Sequence, residues 1–175
     1  TPDCPLLDPG VVHGALSLYS QGFDYVTNNL ERTFPHGLDV EVFSADALLQ
    51  AHAKSVDPFE REHVSEWIRR HQDAPFKLGN LRYPIEDAPP EYQRILREAR
   101  LTVDYPEDLL VVKAIMEFWQ DETRFITTAD VLWLLNKVPE IMMLNAHRAK
   151  EHEQHLAGAF EPMSEEQRKA WDTRS

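Results

Sequence analysis

Two aspartates far apart in the chain, Asp3 and Asp104, each stand just past a segment that reads as the end of a β-strand. In open α/β sheets ligands collect in the crevice outside the carboxyl ends of the strands, so carboxylates there can hold a cation or a substrate. Mg²⁺ commonly takes one or two protein carboxylates and fills its shell with water and phosphate, which makes Asp3 and Asp104 a reasonable Mg²⁺ pair. Taken alone, Asp104 also reads as the N-cap of the helix that follows it, and residue type by itself favours the cap.

Three further groupings carry polar chemistry. Arg32, His36, Asp39 and Glu41 surround the turn Phe34-Pro-His-Gly37, where Gly37 is expected to supply a positive φ and His36 reads equally as a surface-loop histidine. Phe59-Glu-Arg-Glu-His63 crowds Arg61, Glu62 and His63 into the first turns of a helix. A solvated, dipole-complementing face is the plainer reading of that crowding, although Glu60 and Glu62 bracketing Arg61 could hold a polyhydroxylated ligand by bidentate contacts. His147, Glu151 and His155 share a helix face at i, i+4 and i+8, with His152 beside them. Such a stripe can chelate zinc, but nothing closes the shell and the surrounding residues describe an exposed polar face. Glycine-rich phosphate loops, Gly-x-Ser-x-Gly, His-Glu-x-x-His and Cys-x-x-Cys are all absent, which leaves hydrolase and redox readings with little support.

The elements that must position these residues follow from periodicity and punctuation. A proline-rich opening leads into a helix from Pro9 to Ser20 with Val12, Ala15, Leu16 and Tyr19 on one face. Phe23 to Thr27 reads as a strand, and Leu38 to Phe43 alternates apolar with acidic as a half-buried strand. Ser44 caps a helix to about Lys54, and Pro58 starts another that carries Phe59, Val64, Trp67 and Ile68 inward. Phe76 to Leu81 reads as a strand, Tyr83 to Pro90 as a mobile loop, and Glu91 to Ala99 as a short helix. Leu101 and Val103 alternate with Thr102 and Asp104 as a strand running into a helix from Pro106 to Gln120. Thr127 caps a further helix, Pro139 begins the next, and Glu161 to Ser175 reads as a weakly packed or disordered tail. Strands followed by helices predict an α/β fold with a mainly parallel sheet, completed by a strand immediately ahead of residue 1.

Composition bounds the class. With 175 residues, 42% of them hydrophobic and 27% charged, the chain is expected to form one soluble domain. Its net charge of −12 repels polyanions, which excludes non-specific binding to nucleic acid or anionic membranes. No apolar run spans a bilayer and no leader is visible, and the single cysteine, Cys4, fits a reducing compartment, so a cytoplasmic protein is expected. The first residue is Thr, which points to a processed or truncated amino end.

Read in order, Asp3-Cys-Pro-Leu-Leu-Asp-Pro9, Asp24-Tyr-Val-Thr-Asn28, Phe34-Pro-His-Gly-Leu-Asp-Val-Glu-Val-Phe43, Arg61-Glu-His-Val64 and Arg100-Leu-Thr-Val-Asp-Tyr-Pro-Glu-Asp108 resemble the successive motifs of the cytidylyltransferase family. They are most similar to its branch of spore-coat polysaccharide biosynthesis protein F, a relative of the CMP-Kdo and CMP-sialic acid synthetases. Val131 to Asn145 resembles that branch's carboxyl-terminal helices. The resemblance implies a Rossmann-like, mixed α/β nucleotidyltransferase sheet over residues 1–120, without its N-terminal half, a helical appendage at 121–158 and a tail at 159–175. It implies that a sugar or sugar-acid hydroxyl attacks the α-phosphate of CTP, so that pyrophosphate leaves and a CMP-sugar forms in surface or spore-coat polysaccharide biosynthesis. By motif, Asp3 and Asp104 would be the Mg²⁺ ligands and catalytic residues. By position, Arg32, His36, Asp39, Glu41, Arg61, Glu62 and His63 would line the acceptor pocket, and a homodimer would form through the same region. The family's triphosphate-holding half would precede residue 1, so the chain alone is expected to be incomplete and inactive. The alternative is a non-catalytic interaction or nucleotide-sugar-binding module.

Overall fold

Several helices begin where the sequence offers a carboxylate or hydroxyl to the open N–H groups of a first turn. The computed structural model describes residues 2–63, 65–70, 76–119 and 124–148. Helix α1 (Pro9–Tyr19) starts behind Asp8, whose Oδ1 accepts a hydrogen bond from Gly10 N at 2.7 Å. Strands β1 (Tyr25–Thr27) and β2 (Glu41–Phe43) follow, then α2 (Ala45–Lys54), whose cap Ser44 accepts from Ala47 N at 3.0 Å. Two short helices, α3 (Pro58–Glu62) and α4 (Glu66–Arg70), precede β3 (Leu78–Asn80). A 3-10 turn at Ile85–Asp87 then leads to α5 (Pro90–Glu98), α6 (Pro106–Phe118), α7 (Thr128–Lys137) and α8 (Glu140–Met143).

The three strands form one mixed sheet with β1 at its centre. β2 runs antiparallel to β1, with Val26 opposite Val42, and β3 runs parallel to it, with Val26 opposite Gly79. Successive residues of β1 point to opposite faces, and the core divides accordingly. Val26 packs with Val11 and Ala15 of α1 and with Phe34 and Val40, while Tyr25 packs with Ala47 and Ala51 of α2 and Trp67 and Ile68 of α4. A larger cluster joins Leu6, Leu38 and Leu101 to α5, α6, α7 and α8. Each fully buried aliphatic side chain there contributes roughly 1.5–3 kcal/mol. Asp8 ties the two halves together, because its Oδ2 accepts from both N and Oγ1 of Thr128 at the start of α7, at 2.7 and 2.8 Å.

Several sequence expectations change, each for a local reason. The sheet is mixed, as the family resemblance implies, rather than mainly parallel as the order of strands and helices suggests, since β2 returns antiparallel. Only Glu41–Phe43 of the expected strand at 38–43 joins the ladder. The buried Asn28 side chain replaces a strand ahead of it, donating to Leu38 O at 2.7 Å and accepting from Val40 N at 3.0 Å. Leu101 to Val103 is not a laddered strand either. Just ahead of it Arg100 makes one isolated parallel bridge with His36, and Val103 N donates to Asp3 O at 2.8 Å. Burial does not follow the alternation here, since Leu101 and Thr102 are both buried and Val103 only partly so, and the pairing partners are single residues of two loops. The helix expected from Pro58 breaks at His63 (φ −100°, ψ 86°) and resumes at Glu66; Val64 lies outside the described residues. On α1 the inward residues are Val11 and Ala15, whereas Leu16 is half exposed. The Tyr83–Pro90 segment, expected as a mobile loop, holds the 3-10 turn and buries Ile85. Gln120, Glu151, His152, His155 and the tail from Glu161 lie outside the described residues. No helix among the described residues is long and apolar enough to cross a membrane.

Candidate functional site

The loop from Asn28 to Val40 carries most of the polar side chains of interest, and its shape is set by Gly37. This glycine has φ +100°, a left-handed conformation that side-chain-bearing residues avoid, and a Cβ there would lie 2.2 Å from Thr102 N. The turn therefore lies directly on the Leu101–Thr102 backbone, and Leu101 N donates to His36 O at 2.6 Å. Val103 N bonds to Asp3 O on the same segment. Residues 100–104 thus meet the opening of the chain and the Pro-His-Gly turn at one place.

Beside this junction a cleft of about 550 Å³ opens between the ends of β1 and β2 and the break between α3 and α4. Asp3, Asp39, Glu41, Glu62 and His63 line it, together with Asn29, Phe43, Ser65, Glu66 and Arg69. Five carboxylates face one arginine, and that arginine is bridged to Glu66 at 2.8 Å. The local field is negative enough to act on neighbours: the Cys4 thiol is raised above its ordinary pKa by burial first, and then by Asp3 and Asp39.

Each predicted residue has a defined place. Asp39 is the most heavily bonded. Its Oδ1 accepts from Arg32 Nη1 at 2.6 Å and Asn29 Nδ2 at 3.4 Å, its Oδ2 accepts from Gly37 N at 3.2 Å, and His36 Nε2 lies 4.0 Å from Oδ2. Arg32 and His36 do not line the cleft themselves; each lies against Asp39, which does. Glu41 is held by two hydroxyls on Oε1, that of Tyr25 and that of Ser65, the latter at 2.6 Å. The Tyr25 phenol is pushed well above its ordinary range by burial and then by Glu41, so it stays a donor. His63 stacks obliquely on Phe59 with ring centroids 4.3 Å apart. Asp3 lines the cleft with Oδ1 buried and without a hydrogen-bond partner among the described residues.

Two predicted residues are placed otherwise. Arg61 is not brought to this cleft. Nη1 donates to Ser55 O at 3.2 Å, and the residue lines a separate cavity of about 160 Å³ with His52, Ser55 and Glu60. Asp104 is not the N-cap of α6. Tyr105 holds that position, and the Asp108 carboxylate accepts from the N–H groups of both Asp104 and Tyr105 at 3.0 Å. Asp104 instead extends into solvent, 42% exposed, with Oδ2 on Arg100 Nη2. His147, from the polar stripe, lies 3.8 Å from Glu107. No group of three or more His, Cys, Asp or Glu among the described residues is arranged to hold a metal.

Sequence reasoning passed over Asn29, Ser65, Glu66, Arg69 and Arg100. Arg100 was the most legible of these, as an arginine heading an alternating segment, but nothing local revealed its burial.

No protein-family model matches the chain. An uncharacterized protein of Methanocaldococcus jannaschii is 29% identical over 131 residues, which cover 74% of this chain and 48% of that protein. Among solved structures, a cytidylyltransferase from Leptospira borgpetersenii serovar Hardjo-bovis is similar with a TM-score of 0.66 and 26% identity, over 80% of this chain and 55% of that one. The chain therefore spans about half the length of each relative, and its mixed α/β arrangement matches a cytidylyltransferase-like nucleotidyltransferase fold.

Proposed function

We propose that this chain carries the metal-binding and acceptor-binding part of a cytoplasmic nucleotidyltransferase that joins CTP to a hydroxyl of a sugar or sugar acid in surface or spore-coat polysaccharide biosynthesis. The observation that carries this reading is the convergence of Asp3, Asp39, Glu41, Glu62 and His63 on one cleft, in a fold similar to that of a cytidylyltransferase. In the reaction the acceptor oxygen bonds to the α-phosphorus, the bond to the β-phosphate breaks, pyrophosphate leaves, and a cleft carboxylate takes the hydroxyl proton. Such a transfer depends on positioning and charge neutralisation more than on covalent chemistry by the protein.

Asp3 and Asp104 suit Mg²⁺, since both offer hard carboxylate oxygens and Asp3 Oδ1 is a buried acceptor that no described donor satisfies. When bound, the ion supplies neutralisation of phosphate charge. The remaining work falls to the cleft. Glu41, with Oε1 fixed by two hydroxyls, is oriented to accept a hydrogen bond from an acceptor hydroxyl through Oε2. Asp39, clamped by Arg32 and Gly37, offers a second fixed acceptor. The excess of carboxylates favours a neutral or amino-bearing sugar over a sugar acid, because a bound carboxylate would face like charge.

The test is calorimetric titration of CTP with Mg²⁺, followed by pyrophosphate release with neutral, amino and acidic sugars as acceptors. Both are run on this chain and on the chain extended by its genomic flanks. Metal-dependent CTP binding and release driven by a neutral or amino sugar are the expected results. Absence of CTP binding by both forms overturns the reading, and release driven best by a sugar acid overturns the acceptor preference.

A further inference from the structure

A guanidinium removed from water must find acceptors for its donors, and Arg100, with 2% of its side chain exposed, finds them on three different residues. Nε and Nη2 take the two oxygens of the buried Asp108 at 3.0 and 3.1 Å, as a bidentate fork. Nη2 also reaches Asp104 Oδ2, and Nη1 lies 3.4 Å from His36 Nδ1. The far end of this mount is fixed independently. Asp108 accepts from Asn145 Nδ2 at 2.8 Å and from two backbone N–H groups, and Asn145 Nδ2 also donates to Arg100 O at 3.0 Å.

We propose that Arg100 is a positioning residue that holds the Asp104 carboxylate and the His36 ring on one buried anchor, and so sets the metal-facing and acceptor-facing sides of the site relative to each other. The metal half of this inference rests on the function proposed above; the His36 half does not. Among the described residues the Asp104 carboxylate is bonded by Arg100 and by Thr102 Oγ1 at 3.5 Å, both on Oδ2, which leaves Oδ1 as the oxygen for a ligand. Arginine can only donate, so in the neutral ring its approach to Nδ1 favours the tautomer with Nδ1 as acceptor and the proton on Nε2, the atom that faces Asp39 Oδ2. A lysine could not reproduce this arrangement. It is a point donor on a flexible stem and cannot serve a bidentate carboxylate, a second carboxylate and a ring nitrogen together.

An ion pair that only stabilised the fold would leave His36 and Asp104 unchanged when replaced by a neutral pair. The informative variant is therefore Arg100→Met combined with Asp108→Asn, which strands no buried charge and keeps an acceptor for the α6 N–H groups. The first readout is nitrogen NMR of the labelled chain at mildly alkaline pH, with the His36 signals assigned by their loss in His36→Asn. Wild type is expected to show one tautomer, protonated on Nε2, and the double variant a mixture of both. The second readout is Mn²⁺ affinity by electron paramagnetic resonance, expected to fall about tenfold or more, the usual consequence of removing an outer-shell partner. A folded double variant whose His36 keeps the single Nε2-protonated tautomer overturns the proposal. Should the double variant fail to show a cooperative melt, Arg100→Lys is read by the same criteria. Wild type that binds no Mn²⁺ defeats the metal assignment instead, and the tautomer still decides whether Arg100 positions the ring.

Discussion

Asp104 and Asp108 are four residues apart on one turn and are used in opposite ways. Asp108 is fully buried, and both of its oxygens are saturated by Arg100, Asn145 and backbone N–H groups. Asp104 is 42% exposed, with one oxygen tied to Arg100. The same contrast separates the helical core from the cleft. Asp8 bridges two helix starts with both oxygens engaged, whereas Asp3 Oδ1 has no hydrogen-bond partner among the described residues. Saturation, more than residue type or burial alone, distinguishes a carboxylate that builds the fold from one that can bind a ligand.

The contrast is broken most severely from the saturated side. Asp108→Ala leaves the Arg100 charge buried without its main partner and should cost about 3–5 kcal/mol of stability in urea unfolding; a loss below about 1 kcal/mol would mean that the network is dispensable. From the open side, Asp104→Asn should leave the melting temperature nearly unchanged. If the proposed function holds, it should lower CTP turnover of the chain extended by its genomic flanks by about a hundredfold or more, the scale of losing one transition-state charge stabiliser. Gly37→Ala strikes both regions at once, since the turn that positions Asp39 also rests on Thr102. Strain at a left-handed position together with that overlap predicts a loss of about 2 kcal/mol or more, with ligand binding weakened in parallel.

Acid sharpens the same distinction more gently. Burial works to raise the Asp108 pKa, but the hydrogen bonds from Arg100, Asp104 N, Asn145 and Tyr105 N outweigh it and hold the group below its ordinary value. Asp130, bonded by Arg124 and by Thr127 in the cap of α7, is lowered to about 2. Both groups are depressed in the folded state, so the stability they contribute is present above the unfolded carboxylate pKa near ~3.9 and is lost as pH falls through the folded values. Urea midpoints measured from neutral to acid pH should decline over that window, and Asp130→Asn should flatten the lower part of the decline. The smallest effect is expected for Thr127→Ala, which removes a 3.3 Å cap to Asp130 N and should cost about 1 kcal/mol.

What could be read from the sequence was what short-range chemistry decides. Ser44 and Thr127 announce their helices because a hydroxyl three positions ahead of an N–H is a local arrangement. Pro9 and Pro106 mark helix starts for the same kind of reason. The Arg32–Glu41 loop and the Pro58–His63 segment were recognisable as polar constellations, but which of their side chains share a cleft was not. Glu62 and His63 line it, whereas Arg61, one residue earlier on α3, turns to Ser55 O. Arg100 was hidden more completely. Its burial depends on Asn145 and Asp108, and its contact with His36 depends on Gly37 lying flat against Thr102, so no window of sequence contains the cause.

The bridge between His36 and Arg100 also bears on how the chain folds. It joins positions 64 residues apart, whereas the helix caps close across two or three. Loop-closure entropy makes the longer contact about 2–3 kcal/mol harder to form than one spanning four residues. Helices α1, α2, α6 and α7 are therefore expected to gain amide protection in a pulsed hydrogen-exchange experiment before Leu101 and Val103 do. The site would come together after those helices, and any ligand that spans it would act as a clasp across widely separated stretches of the chain.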